Sequence, residues 1–254
     1  MPITTCVFDA YGTLFDVAAA AREAATEPKY QNFAPHWPTV AEHWRLKQLQ
    51  YTWLRTITGA HTDFWHVTQD GLDWALEASG LHGNAALRER LLALYWELSA
   101  YAEVPATLAA LKAAGLNTAI LSNGSPDMLR GAVKSAGLYA VLDDVLSVED
   151  VGVFKPAAAV YAQVGARFNC AADEVLFVSA NGWDAAGASG YGFTTAWVTE
   201  AKTQWTACLG HRAMLFKIFA LFQIWQASLE RLQKISQPVR TLHINRGSIA
   251  CTLP

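Results

Sequence analysis

The sequence has little charge and no concentration of it. Asp, Glu, Lys and Arg make up only 16% of 254 residues, and the formal net charge is −3. No basic patch marks a nucleic-acid partner, and no block of like charge marks a tail or a membrane-binding surface. The opening Met-Pro-Ile-Thr-Thr-Cys-Val-Phe-Asp lacks the basic region and apolar stretch of a signal peptide. No early apolar run reaches the roughly eighteen residues of a membrane span. Cysteine is sparse too: Cys6, Cys170, Cys208 and Cys251 are scattered without paired spacing, which fits reduced cytosolic thiols and neither disulfides nor zinc. His36, His43, His61 and His66 have no partner at metal-ligand spacing and read as surface or structural residues. These absences predict a cytoplasmic protein with no metal, no cofactor, no nucleic-acid partner and no membrane partner. What is abundant is apolar surface: 52% of residues are hydrophobic, ten of them tryptophan. Such a chain can bury one large α/β core plus a smaller inserted domain, and disorder is excluded. The tryptophans suit either a core or an aromatic-lined pocket.

Thr4 to Phe8 reads as a short buried strand that stops at Asp9, followed by the turn residues Tyr11-Gly12-Thr13. From Asp16 to about Ser99 the pattern is helical. Pro38–Ile57 forms one long helix whose Trp44, Leu49, Trp53 and Ile57 are spaced for a broad apolar face, with Gly59 as terminator. Leu72–Ser79 and Ala85–Leu98 read as further helices. Beyond Val104 helices and strands alternate: helices at Val104–Ala114, Met128–Ala136 and Ala157–Phe168, strands at Thr118–Leu121, Val145–Val148, Val175–Val178 and Thr194–Val198. Alternation implies a parallel sheet covered on both faces. The expected fold is therefore α/β, a doubly wound, Rossmann-like core of residues 1–15 plus 100–254, with an all-helical cap of residues 16–99 inserted.

In open parallel sheets ligands bind at the carboxyl ends of strands. The polar residues fall at those ends: Asp9 after the first strand, Ser122-Asn123-Gly124 after the second, Ser179-Ala180-Asn181 with Asp184 after a later one, and Lys155-Pro156 before a helix. One Asp after a strand is explained as well by a turn or helix cap. Several coincident polar strand ends indicate a site. The runs Phe8-Asp9-Ala10-Tyr11-Gly12-Thr13-Leu14-Phe15-Asp16, Leu121-Ser122-Asn123-Gly124, Phe154-Lys155-Pro156 and Phe177-Val178-Ser179-Ala180-Asn181-Gly182-Trp183-Asp184 resemble, in order, the four motifs of the haloacid dehalogenase superfamily.

Departures inside those motifs bear on the reaction. The resemblance implies that most relatives are magnesium-dependent phosphatases with a second Asp two positions after the nucleophile. Here that position is Tyr11, which offers no acid of suitable pKa. The fourth motif keeps Asp184 but has Ser179 where the phosphatase pattern brings a further carboxylate, so the set magnesium prefers is depleted. A leaving halide needs no proton, so these losses suit carbon–halogen cleavage. The cap run His43-Trp44-Arg45-Leu46-Lys47-Gln48-Leu49-Gln50-Tyr51-Thr52-Trp53-Leu54-Arg55 is similar to the cap-helix signature of the 2-haloacid dehalogenases, although Leu46 stands where Gln is frequent.

The resemblance implies a metal-free reaction in which Asp9 attacks the carbon bearing the halogen. It implies that Arg45, Asn123 and Trp183 cradle the halide, and that Ser122, nearby N–H groups and Lys155 hold the substrate carboxylate. Asp184 is the expected base, giving a 2-hydroxy acid with inversion. Thr13 and Ser179 are expected to hydrogen-bond the Asp9 region, Asn181 and Tyr161 to steady Lys155 and the substrate, and Ala10, Tyr11, Leu49 and Phe64 to wall the pocket. A small 2-haloacid is the implied partner, and a homodimer the implied assembly. The alternatives are a phosphatase-like hydrolase of the same superfamily and a non-catalytic small-acid binder. Past Val198 the resemblance stops. The apolar stretch from Ala213 to Ile235 has three competing readings: a packed terminal helix, a subunit contact, or a segment altered by a shift of reading frame.

Overall fold

The computed structural model describes residues 2–198 and 213–216. Among the described residues six parallel strands form one sheet in the order β3-β2-β1-β4-β5-β6: β1 (Thr5–Phe8), β2 (Asn117–Ser122), β3 (Asp144–Ser147), β4 (Val175–Ser179), β5 (Thr194–Val198) and β6 (Ala213–Phe216). Every residue of β1 and β4 is buried, as expected of strands covered on both faces. The first strand is central, pairing with β2 on one side and β4 on the other. Strand order therefore reverses beside β1, and a crevice opens at the carboxyl ends of the strands there.

Helices α1 (Ala19–Ala24), α2 (Trp37–Thr58), α3 (Phe64–Ala78) and α4 (Ala85–Trp96) lie between β1 and the core helix α5 (Val104–Ala113). The chain enters and leaves this helical insertion side by side. Phe15 and Ala100 form an antiparallel bridge, the Asp16 N–H donates to the Ser99 carbonyl at 3.1 Å, and the Tyr101 N–H donates to that of Leu14 at 3.0 Å. The core helices α6 (Pro126–Ser135), α7 (Ala158–Phe168) and α8 (Gly182–Tyr191) complete the wrapping.

Three expectations need correction. The buried stripe of α2 is Val40, Trp44, Gln48 and Thr52; Leu49 and Trp53 are half-buried and Ile57 is 80% exposed. Polar residues can occupy the stripe because each is satisfied. Gln48 Nε2 donates to Thr68 Oγ1 at 2.9 Å and to the Tyr95 hydroxyl at 3.2 Å, and Thr52 Oγ1 donates to the Leu49 carbonyl at 2.7 Å. Helix α3 starts eight residues earlier than Leu72, because Asp63 caps it by accepting from the His66 N–H at 3.0 Å. In the apolar tail, Ala213–Phe216 is a strand paired with β5 rather than the start of a helix; the remainder up to Ile235 lies outside the described residues.

Candidate active site

Asp9 follows β1 directly, and its N–H extends the strand ladder by donating to the Val178 carbonyl at 2.9 Å. The carboxylate thus emerges where strand order reverses. Behind it the chain turns tightly, with the N–H groups of Thr13, Leu14 and Phe15 converging on the Ala10 carbonyl. Gly12 adopts φ of +86°, a left-handed conformation that favours glycine, and the absence of a Cβ leaves room for Arg45 Nη2, which would otherwise lie 2.9 Å from it. The turn brings Thr13 Oγ1 to Asp9 Oδ2 at 3.0 Å, and the same hydroxyl accepts from the Ala180 N–H at 2.9 Å.

Asp9 Oδ2 also accepts from Asn181 Nδ2 at 2.8 Å. Arg45 Nη2, from α2 in the cap, donates to Asn181 Oδ1 at 2.7 Å and to the Tyr11 carbonyl at 3.2 Å. Since a guanidinium can only donate, Arg45 fixes which way the Asn181 amide points. On the other side, Lys155 Nζ donates to Asp9 Oδ1 at 3.1 Å and to Asp184 Oδ2 at 2.8 Å. Asp184 further accepts from Ser179 Oγ at 3.2 Å and from the Tyr161 hydroxyl at 2.8 Å. Asn123 Oδ1 accepts from the Lys155 backbone N–H at 3.0 Å. Two carboxylates and two cations are thereby linked in one network.

Burial sets the proton affinities. Asp184 is fully buried, and loss of solvent raises its carboxyl to about 6; the nearby Asp9 adds to this, while Lys155 and the Tyr161 hydroxyl oppose it. Burial would depress Lys155, but Asp184 and Asp9 outweigh it and hold the ammonium above the ordinary lysine range. Burial, helped by Tyr95 and Asp9, pushes the Tyr11 hydroxyl well above the usual tyrosine value, so it stays neutral. The result is a fixed cation between two carboxylates, one of which can gain or lose a proton near neutral pH.

The expected residues meet, with changes of partner. Thr13 does bond Asp9, but Ser179 bonds Asp184 instead. Asn181 and Tyr161 bond Asp9 and Asp184 respectively and not Lys155, whose ammonium is held by those two carboxylates and whose backbone N–H goes to Asn123. The Ser122 hydroxyl accepts from the Gly124 N–H at 3.1 Å within its own loop. Arg45, Asn123 and Trp183 are each tied to a different neighbour: Asn181, the Lys155 N–H and the Trp53 ring. The Tyr11 ring stacks on Tyr95 with centroids 5.7 Å apart and meets Phe64 at the same distance, while Leu49 is half-buried on α2 one turn from Arg45. Trp183 meets Trp53 edge-on at 5.5 Å, and its buried Nε1–H has no acceptor among the described residues.

Sequence reasoning missed Gly187. A Cβ there would lie 2.6 Å from the Tyr161 hydroxyl and 2.7 Å from Pro156 Cβ, so its absence lets Tyr161 reach Asp184. A glycine within a core helix was the available signal.

Comparison with known proteins matches this arrangement. The haloacid dehalogenase-like hydrolase family matches residues 3–192. (S)-2-haloacid dehalogenase 1 of Pseudomonas sp. (strain CBS-3) is 45% identical over 194 residues, covering 76% of this chain and 83% of that protein. (S)-2-haloacid dehalogenase 4A of Burkholderia cepacia is 42% identical over 193 residues, covering 76% and 81%. The crystal structure of L-2-haloacid dehalogenase from Xanthobacter autotrophicus with chloropropionic acid covalently bound superposes with a TM-score of 0.79 at 32% identity, covering 88% of this chain and 98% of that one. With its motifs in order and their side chains gathered at the strand ends, the chain belongs to the haloacid dehalogenase-like hydrolases.

Proposed function

We propose that the protein hydrolyses short-chain 2-haloalkanoic acids to 2-hydroxy acids, with Asp9 as nucleophile. The observation that carries this reading is the Asp9 carboxylate: three donors hold it, Tyr11 stands two residues on, and the neighbouring acid Asp184 is paired with Lys155. Tyr11 stays neutral and has no function as an acid for an alkoxide leaving group, whereas a halide departs without a proton.

Asp9 Oδ2 already accepts two bonds, and Oδ1 accepts one from Lys155. Oδ1 therefore has the available lone pair. It attacks the carbon bearing the halogen from the side opposite the halide. A C–O bond forms, the halide leaves with the C–X electron pair, and the product is an ester of Asp9. Arg45 supplies the positive charge on the cap side that stabilises the departing anion, with Asn123 and the Trp183 N–H as further donors. Ser122 and Lys155 hold the substrate carboxylate, and Tyr11, Ala10, Leu49 and Phe64 wall its alkyl group.

Water then adds to the Asp9 Cγ, and Asp184 takes its proton. The acyl C–O bond breaks and the proton held by Asp184 passes to the departing alkoxide, so the 2-hydroxy acid leaves with an oxygen that came from Asp9. The substrate carbon is attacked once, so its configuration inverts. Thr13 and Asn181 hold Oδ2 throughout, and Ser179 and Tyr161 hold Asp184 as it changes charge. The bridged chain crossings at Phe15 and Ala100 support residues 16–99 as a cap that pivots over this site.

The test is halide release from each enantiomer of 2-chloropropionate after EDTA treatment. Release from one enantiomer with an inverted 2-hydroxy acid is expected. No halide from either overturns this reading, and phosphatase activity restored by Mg²⁺ replaces it with that of a phosphate-ester hydrolase.

A further inference from the structure

Lys155 reaches the site on a segment that the cap grips at both ends. The segment begins after β3 at Val148 and ends in Phe154-Lys155. At its start, Glu149 Oε2 lies 3.0 Å from Nε2 of His61, in the connection between α2 and α3. At its end, the Phe154 N–H donates to Thr56 Oγ1, in the last turn of α2, at 3.1 Å. The Phe154 ring is fully buried, 4.8 Å from the His61 ring and 6.4 Å from that of Phe64, all centroid to centroid. These cap contacts fall on the residue immediately before Lys155 and on another six positions before it. From the core, the Lys155 N–H is held by Asn123.

We propose that Thr56 and His61 are positioning residues for Lys155: by holding Phe154 and Glu149 they make placement of the ammonium between Asp9 and Asp184 depend on the cap being seated. The inference rests on the hydrolytic reading of the same site. Catalytic groups must be held to within about 0.5 Å of the productive geometry, and displacement of about 1 Å costs up to about 100-fold in rate. A cation delivered by residues of the cap is in register only when cap and core are in contact. Charge balance at Asp9 is then complete in the closed form and incomplete in the open one.

The experiment measures kcat, KM and the pH dependence of kcat for halide release from 2-chloropropionate, using the full chain with Thr56→Val, Thr56→Ser and Glu149→Gln. Thr56→Val removes the hydrogen bond at nearly constant volume, and kcat is expected to fall about tenfold with KM changed less than about threefold. The acid limb of kcat is expected to move to higher pH, because a displaced ammonium stabilises the Asp184 carboxylate less. Thr56→Ser retains the hydroxyl and is expected to restore both the rate and the limb. Glu149→Gln, at a half-buried position, gives a smaller change in the same direction and serves if Thr56→Val does not fold.

Variants with a lowered thermal midpoint but wild-type kcat and an unmoved limb overturn the proposal, and leave these contacts as adhesion between cap and core. No halide from the wild-type chain overturns the proposed reaction, and this inference with it. Halide from the wild type with unaltered variants overturns the inference alone.

Discussion

The two sides of the site are built differently. On the sheet side, Asp9 and Asp184 are each fixed by three side-chain donors, and Lys155 is 1% exposed between them. On the cap side, Arg45, Leu49 and Trp53 are only half-buried, and Arg45 touches the core through Asn181 and the Tyr11 carbonyl. The sheet side has little freedom because each strand end is held by neighbouring strands. The cap side is presented mainly by one face of α2, whose half-buried side chains have fewer partners. In the proposed reaction, rigid placement thus goes to the groups that would exchange bonds and protons, and adjustable placement to those assigned to the substrate's halogen and alkyl group.

The largest effect expected on this contrast comes from its centre. Asp9→Asn should lower kcat by roughly 10⁴-fold or more while leaving the unfolding midpoint intact. Full turnover in that variant would show that the sheet side holds no nucleophile. Lys155→Met leaves two buried carboxylates facing each other and should cost about 3–5 kcal/mol in urea unfolding at neutral pH. A loss below about 1 kcal/mol, the range of exposed ion pairs, would mean the carboxylates are already wet.

On the cap side Arg45→Gln should reduce kcat by roughly 10²–10³-fold, with a change in stability too small to register against the Lys155 variant. Equal losses of stability at both positions would erase the distinction between fixed and adjustable sides. The smallest effect concerns acidity. Asp184, raised to about 6, must be ionised to accept the water proton, so kcat should fall as pH drops through that value. Tyr161→Phe removes a bond that favours the carboxylate. The limb should then move to higher pH, by about a unit or less. A limb that stays put would remove Asp184 as the titrating base.

The same contrast governs how much could be read from the sequence. Asp9 and Asn181 were legible because each sits just past a strand end, and Asp184 and Lys155 because they fall at or just before the start of the helices that follow strands, positions set by short apolar runs bounded by turns. Their partners were less so: Ser179 turned to Asp184 because the two lie five residues apart across a helix start, while Thr13 was nearer to Asp9. In the cap, counting apolar residues misplaced the buried face of α2, since Gln48 and Thr52 enter it once Thr68, Tyr95 and the Leu49 carbonyl satisfy them. The Thr56–Phe154 bond spans 98 positions and the His61–Glu149 pair 88. No local periodicity reports contacts that arise only when a helical insertion settles on a sheet.

The paired entry and exit at Phe15 and Ala100 have a consequence for engineering. Because the insertion begins and ends at one bridged point, a foreign helical segment could be spliced between residues 16 and 99 without altering any strand pairing. A transplant that carried over the arginine alone would lack the grip on Glu149 and Phe154, and one that also preserved a threonine and a histidine at the 56 and 61 positions would keep both contacts on the segment that carries Lys155. The exchangeable unit is therefore the insertion together with its two footholds on the sheet.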